Sequence, residues 1–210
     1  MKYHSCICLF ILLIMPVLAS AQLEDGFEKE YSVTGGIFPK ADSISSDKIS
    51  MWPELYATYE SNMSQHLSGF FRLNVIIPVG FGFKTNKTYH DTISSRKAKG
   101  FGLSLGGRYY INQAMQGFYA GPAVSYYRYN QIYTYENRIG EDEYGVNAVR
   151  GSMIIGYQHI YENGFTMHAY IGIMLEHKNY ERFVSLVETK PVGSMNLIKP
   201  DAGFSIGYYF

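Results

Sequence analysis

The sequence predicts an all-β protein: an eight-stranded antiparallel up-and-down transmembrane β-barrel behind an N-terminal signal peptide. Three observations carry that expectation. Period-two alternation of apolar and small or polar residues recurs along the chain and runs into the C-terminal aromatic residue. The connections between the alternating stretches sort into short and long ones. Tyr and Phe are abundant, and they gather near the ends of the stretches.

The last ten residues show the alternation most clearly. Ala202, Phe204, Ile206, Tyr208 and Phe210 fall on one face of a strand, and Gly203, Ser205, Gly207 and Tyr209 on the other. Seven earlier stretches repeat the pattern. The first runs from Glu30 to Phe38, with Tyr31, Val33, Gly35 and Ile37 together. The second runs from Glu54 to Ser61, with Leu55, Ala57 and Tyr59 together. The third sets Leu67, Phe71, Leu73, Val75 and Ile77 against Ser68, Phe70, Arg72 and Asn74. The fourth sets Phe101, Leu103, Leu105, Tyr109 and Ile111 against Gly102, Ser104, Gly106, Arg108 and Tyr110. The fifth has Phe118, Ala120, Val124 and Tyr126 on one side. The sixth spans Tyr144 to Gln158. The seventh sets Phe165, Met167, Ala169, Ile171, Ile173 and Leu175 against Thr166, His168, Tyr170, Gly172 and Glu176.

Short links are expected at Asn62–His66, Asn112–Gly117 and His159–Gly164. Long polar loops are expected at Pro39–Pro53, Gly80–Gly100, Asn130–Glu143 and His177–Pro200. Short turns on one rim and long loops on the other fit an outer-membrane barrel with both termini in the periplasm. Aromatic residues cluster by the short links and the C-terminus (Phe70, Phe71, Tyr109, Tyr110, Phe118, Tyr119, Tyr157, Phe165, Tyr208, Tyr209 and Phe210). A second group, Tyr126, Tyr127, Tyr129 and Tyr133, lies toward the long-loop rim. Two belts at two depths are what interfacial anchoring requires. Pro122 breaks the pattern, because it has no N–H for a ladder; a bulge at Gly121–Pro122 or a later strand start is expected.

Composition agrees. The chain has 210 residues, 20 Tyr, 13 Phe and 21 Gly, and 18 basic residues balance 18 acidic ones. The neutral balance gives no reason to expect a nucleic-acid partner. Mean hydropathy is only −0.11, as expected where lumen and lipid faces alternate. Residues 1–21 read as a signal peptide: Lys2, an apolar run Ile7–Leu18 broken by Pro16, then small residues Ala19 and Ala21 at an A-x-A cleavage site. Residues 22–210 read as the barrel. Both cysteines, Cys6 and Cys8, fall in the leader, so no disulfide or thiol chemistry is expected afterwards.

The inward face reads as small and polar with isolated charges. Glu28, Glu30 and Glu60 fall near the turn rim, Arg72, Arg108 and Arg150 nearer the middle, and Glu176 near the loop rim. Arg150 is placed inward because an Arg facing lipid at mid-membrane costs about 2–4 kcal/mol. Arg and Glu in one narrow tube should pair, since an unpaired buried charge is strongly unfavourable. The candidate site is therefore a structural polar network of Glu30, Glu60, Arg72, Arg108, Arg150 and Glu176, filling a lumen too narrow for a pore.

No nucleotide loop, zinc motif or Gly-x-Ser-x-Gly elbow is present. His66, His90, His159, His168 and His177 are scattered without metal-ligand spacing. A lipid A deacylase would need a Ser two residues after a rim His, and His177 is followed by Lys178 and Asn179. Catalysis, cofactors and metals are not expected. The Gly80–Gly100 loop is basic (Lys84, Lys87, Arg96, Lys97 and Lys99 against Asp91). The Asn130–Tyr144 loop is acidic (Glu136, Glu141, Asp142 and Glu143 against Arg138). They suit either anionic headgroups outside the cell or each other.

In signal peptide, alternation, loop sorting and terminal Phe210 the chain resembles the small eight-stranded outer-membrane barrels, with the layout of the OmpA transmembrane domain and OmpX. Tyr208 and Phe210 match the C-terminal insertion pattern of that group, while Ser205 stands where glycine is usual. The resemblance implies the outer membrane of a Gram-negative bacterium, insertion by the outer-membrane assembly machinery, surrounding lipid as partner, and a monomer with a structural or surface-interaction role through its loops. Two rival readings are an envelope enzyme acting on lipid A or peptides at the outer rim, and a soluble periplasmic ligand-binding barrel with its apolar face inward.

Overall fold

The computed structural model describes residues 30–45, 48–78, 81–82, 93–135, 141–183 and 189–210. The signal-peptide reading, Glu28 and the tips of the long connections lie outside the described residues. The strands are β1 (Tyr31–Ser45), β2 (Lys48–Asn62), β3 (Leu67–Ile76), the two-residue β4 (Phe81–Gly82), β5 (Ile93–Tyr110), β6 (Gly117–Tyr135), β7 (Glu141–Ile160), β8 (Phe165–Phe183) and β9 (Thr189–Tyr209). Eight long strands form one antiparallel ring in the order β1-β9-β8-β7-β6-β5-β3-β2, and β1 pairs with β2 to close it. Strand β4 adds a short ladder to β2 at Ser50–Met51. The fold is the expected up-and-down barrel.

Alternation decides the two faces. Leu73, Leu105, Ile155, Ile171 and Ile173 point outward, with Leu105 58% and Ile171 62% exposed, while Ser104 on the neighbouring position is buried. Rings circle the turn rim on the outside. Tyr31 stacks on Tyr59 and Phe210 at centroid distances of 6.2 and 6.1 Å, Phe118 meets Tyr157 at 4.9 Å, and His159 meets Tyr161 at 4.5 Å. The aromatic count near that rim divides differently from expectation, however. Phe70, Tyr110 and Tyr119 are buried in the lumen, as are Tyr127 and Tyr129 toward the other rim.

The long connections are also different. β1 and β2 stay paired out to Ser45–Lys48, β6 and β7 to Thr134–Glu141, and β8 and β9 to Phe183–Thr189. Much of what reads as loop is therefore strand. Residues 191–196 are exposed on both faces, so apolar alternation fades there while the backbone ladder continues.

Pro122 causes no bulge. The β6–β7 register runs unbroken through Pro122–Met153. On the β5 side the register before and after is the same, Gly106–Ala123 and Tyr109–Ala120, with the pairs between them missing. A Cβ on Gly121 would collide with the Gly107 carbonyl oxygen, so glycine lets the two backbones close up beside the proline.

The outward placement of Leu105 is testable. Leu105→Arg is expected to lower the stability of the barrel in lipid vesicles by about 2–4 kcal/mol, as read from urea unfolding. A neutral result would mean that the face is assigned one residue out of register.

Candidate functional site

The lumen is packed in tiers built from arginine, carboxylate and tyrosine. Nearest the short turns, Arg108 on β5 donates from Nη1 to Glu60 Oε2 at 2.5 Å and to Gln158 Oε1 at 3.3 Å. Tyr110 donates to Glu60 Oε1 at 2.9 Å, and Ser68 also bonds Glu60. The Arg108 guanidinium lies over the rings of Phe70 (4.6 Å) and Tyr119 (4.8 Å). Register explains the meeting: Ser68 pairs with Asn62 of β2 and with Arg108 of β5, so Glu60, two residues from Asn62, shares their face. His168 bonds Tyr119 and lies 3.1 Å from Ser205.

Arg72 occupies the middle. It donates to Thr58 Oγ1 at 3.0 Å and to the Tyr170 hydroxyl at 2.9 Å, and its guanidinium faces the Tyr56 ring at 4.5 Å. Among the described residues it forms no ion pair. Toward the long-connection rim, Arg150 donates to Glu176 at 2.5 Å; they sit directly opposite on β7 and β8. Lys178 and Lys199 approach the same carboxylate at 3.4 and 3.0 Å. Arg150 stacks over Tyr127 at 3.7 Å, and Tyr127 donates to Glu54 at 2.7 Å.

Of the six residues named from sequence, the structure joins Glu60 to Arg108 and Arg150 to Glu176. Arg72 stands between them on hydroxyls and rings. Glu30 stays at the turn rim, half-buried and bonded to Asn62 at 3.3 Å, and does not reach an arginine. Sequence reasoning missed Glu54, Gln158, Lys178 and Lys199, and above all the tyrosines. The expected inward face of Gly, Ser and Thr holds many rings. A Cβ on Gly102 would collide with the Tyr127 ring, one on Gly106 would fall 2.5 Å from Phe70, and one on Gly203 would collide with Tyr170. Each of these inward glycines is the berth of a neighbouring ring. Each glycine stands directly opposite its aromatic residue on the next strand, and only the register identifies the pairs.

The turn end is stoppered as well. In the link 111–116, Ala114 and Met115 fold inward, and Met115 joins Phe70, Tyr110 and Tyr119 in an apolar cluster. Ala114 N–H bonds the Gln65 carbonyl at 2.6 Å, tying two turns together. Met115 has φ 66°, a left-handed conformation rare for a bulky residue, held by its burial. In the middle of the lumen a cavity of about 20 Å³ remains, lined by Glu54, Tyr56, Arg72, Arg150, Tyr170 and Asp201 among others. That is room for a water or two. Near the opposite rim, Lys99 of the basic segment and Glu143 of the acidic one approach to 3.9 Å, while Asp142 of the acidic segment meets Arg182 of β8 at 3.4 Å.

A sequence family described as "Protein of unknown function (DUF3575)" matches residues 60–210. No curated protein matches the chain. Similar solved structures include a major outer membrane protein from Thermus thermophilus, at 10% identity and TM-score 0.48, covering 88% of this chain and 100% of that one. Another is the translocator domain of the autotransporter NalP from Neisseria meningitidis, at 12% identity and TM-score 0.44, covering 97% of this chain and 70% of that one.

The Glu60–Arg108 pair gives a prediction. Arg108→Met, which leaves Glu60 buried without its partner, is expected to cost about 3–5 kcal/mol in vesicle unfolding experiments, whereas the double variant Arg108→Met/Glu60→Met recovers most of that loss. Equal losses in the single and double variants would show that the pair is not coupled.

Proposed function

The chain belongs to the DUF3575 family, and we propose that it is an outer-membrane β-barrel whose packed lumen serves as a rigid support for surface-exposed hairpins, with a structural or surface-interaction role and no solute conduction. The observation that carries this reading is the inversion of the two faces. Leu73, Leu105, Met153, Ile155, Ile171 and Ile173 form an apolar outer wall, while Arg72, Arg108, Arg150, Glu60 and Glu176 are inside. Water cannot be the solvent of such a wall at low cost, since burying apolar area is the main favourable term in folding. A hydrocarbon solvent accepts it, and it demands backbone groups paired between strands, as the ring supplies along seven long joints and the lower part of the β1–β9 joint. A soluble ligand-binding barrel would need Leu105, Ile171 and Ile173 inside, the reverse of their positions.

The tiers of Arg108, Arg72 and Arg150 with their rings support a sealed tube, and Met115 supports a closed floor. The paired hairpin ends of β1–β2, β6–β7 and β8–β9 extend the wall past the apolar belt, and residues 191–196 of β9 are exposed on both faces. They are the part of the molecule fitted to meet ligands outside the cell. No cofactor, metal or catalytic group belongs to this reading, and insertion by the outer-membrane assembly machinery as a monomer does.

Two measurements test it. Planar-bilayer recordings of the folded protein are expected to show no large steady conductance; a stable porin-like conductance would mean that the charged side chains line a pore. In whole cells, a membrane-impermeant thiol reagent is expected to reach cysteines placed at Gly193 and Met195 and to spare those at Asn112 and Asn163. The opposite labelling would invert the orientation.

A further inference from the structure

The outer wall changes character along β5 and β6. Odd-numbered residues of β5 and even-numbered residues of β6 face outward, as the exposure of Leu103, Leu105, Phe118 and Tyr126 shows. The same alternation carried toward the long-connection rim turns Phe101, Lys99 and Lys97 outward on β5, and Tyr126, Arg128 and Asn130 outward on β6. All of them are exposed except Asn130, which is half-buried. The register sets Leu103 opposite Tyr126, Phe101 opposite Arg128 and Lys99 opposite Asn130. Three cations therefore occupy neighbouring outward positions of two paired strands, a spacing that long side chains span. They stand at the upper edge of an apolar wall.

Few carboxylates answer them on that face. Ile132 pairs with Glu143, which places Glu143 of β7 beside this patch. Glu143 accepts a hydrogen bond from Asn130 at 2.8 Å and lies 3.9 Å from Lys99. The next carboxylate, Glu181, is two strands from Arg128 on β8 and accepts from the Asn147 amide at 3.3 Å. Asn147 in turn accepts from the Tyr126 hydroxyl at 3.1 Å. Among the described residues neither Arg128 nor Lys97 forms an ion pair. Lys97, Lys99 and Arg128 against Glu143 are three positive charges against one negative.

Arg128 shares its row with Phe101 and lies two residues above Tyr126. An arginine on a lipid-facing wall is unfavourable unless it reaches the headgroup level. There it meets lipid phosphates. A phosphomonoester carries about −1.5 to −2 charge at neutral pH, which matches the excess on this patch. Guanidinium binds phosphate oxygens in a fork, and lysines add point charges beside it. Below the cations, Phe101, Leu103, Leu105 and Val149 offer exposed apolar surface to acyl chains of the same molecule.

We propose that Lys97, Lys99 and Arg128 form a binding site on the outer wall for an acylated lipid with a phosphomonoester headgroup. Its phosphate lies across the two strands against Arg128 and Lys99, and its acyl chains run down the apolar rows beneath. Glu143 is the local competitor for the same cations. The inference rests on the membrane-barrel reading.

The test uses native mass spectrometry of the folded chain in detergent micelles. The probes are monophosphoryl lipid A, the same lipid dephosphorylated, phosphatidylglycerol and inorganic phosphate. One equivalent of monophosphoryl lipid A is expected to bind about tenfold more tightly than either other lipid, and inorganic phosphate at equal concentration should not displace it. Arg128→Gln and the pair Lys97→Gln/Lys99→Gln should each weaken it about tenfold while heat-dependent gel mobility is kept. Glu143→Gln should tighten it about threefold, a gain that misfolding cannot imitate. Arg182→Gln, which alters a basic residue placed against Asp142, should leave it unchanged. Absence of lipid A binding by the unaltered protein overturns the proposal. So does equal binding of the dephosphorylated lipid or of phosphatidylglycerol, displacement by inorganic phosphate, or affinity indifferent to both Arg128→Gln and Glu143→Gln. Weakening by Arg182→Gln as large as by Arg128→Gln also overturns it, since the attraction is then diffuse. A chain that alkaline carbonate strips from vesicles overturns the membrane reading instead; one that stays embedded but ignores the lipid overturns only the site.

Discussion

Charge buried in a narrow tube is the constraint on which the rest of this structure depends. An eight-strand ring leaves an interior just wide enough for side chains, and three arginines are committed to it. Each is accommodated differently. Arg108 has Glu60 and two aromatic rings, Arg150 has Glu176 and the Tyr127 ring, and Arg72 has the Thr58 and Tyr170 hydroxyls under the face of Tyr56. Removing any partner would leave a charge in a space that holds only a water or two, which is where large destabilisations arise.

Filling that tube also explains the glycines. Strand glycine is weakening unless space is short, and here space is short at the positions facing rings. Gly102 receives Tyr127, Gly106 receives Phe70, Gly203 receives Tyr170 and Gly36 receives Tyr56. Rings that cover a neighbouring glycine supply rigid area on which guanidinium groups stack, so the same side chains pack the tube and offset its charge. Barrel stiffness and electrostatics are one arrangement. The stiffness in turn carries the paired hairpins past the apolar belt, where ligand contact is proposed.

Closure is where packing and backbone chemistry conflict. Seven of the joints between neighbouring strands are long ladders, whereas the β1–β9 joint stops after five pairs and is finished by the hydroxyl of Tyr56. Farther along the same register, Pro39 and Pro200 have no N–H to donate to a continued ladder.

Alternation determined the two faces and the inward aim of Arg72, Arg108, Glu60 and Glu176, because a strand sends successive side chains to opposite sides whatever its neighbours are, and the cost of facing lipid aimed Arg150 the same way. It could not show that the strands outrun the apolar belt, because the periodic signal disappears once both faces are wet. It also set Phe70 and Tyr110 on the faces of Arg72 and Arg108, but an aromatic near a strand end suits an interfacial belt equally well, and the belt reading hid their place in the lumen. Which arginine meets which carboxylate, which glycine takes which ring, and where β9 leaves β1 are questions of register between strands far apart in sequence. Register is fixed by ladders closing around the whole ring, and so only the tertiary structure decided them.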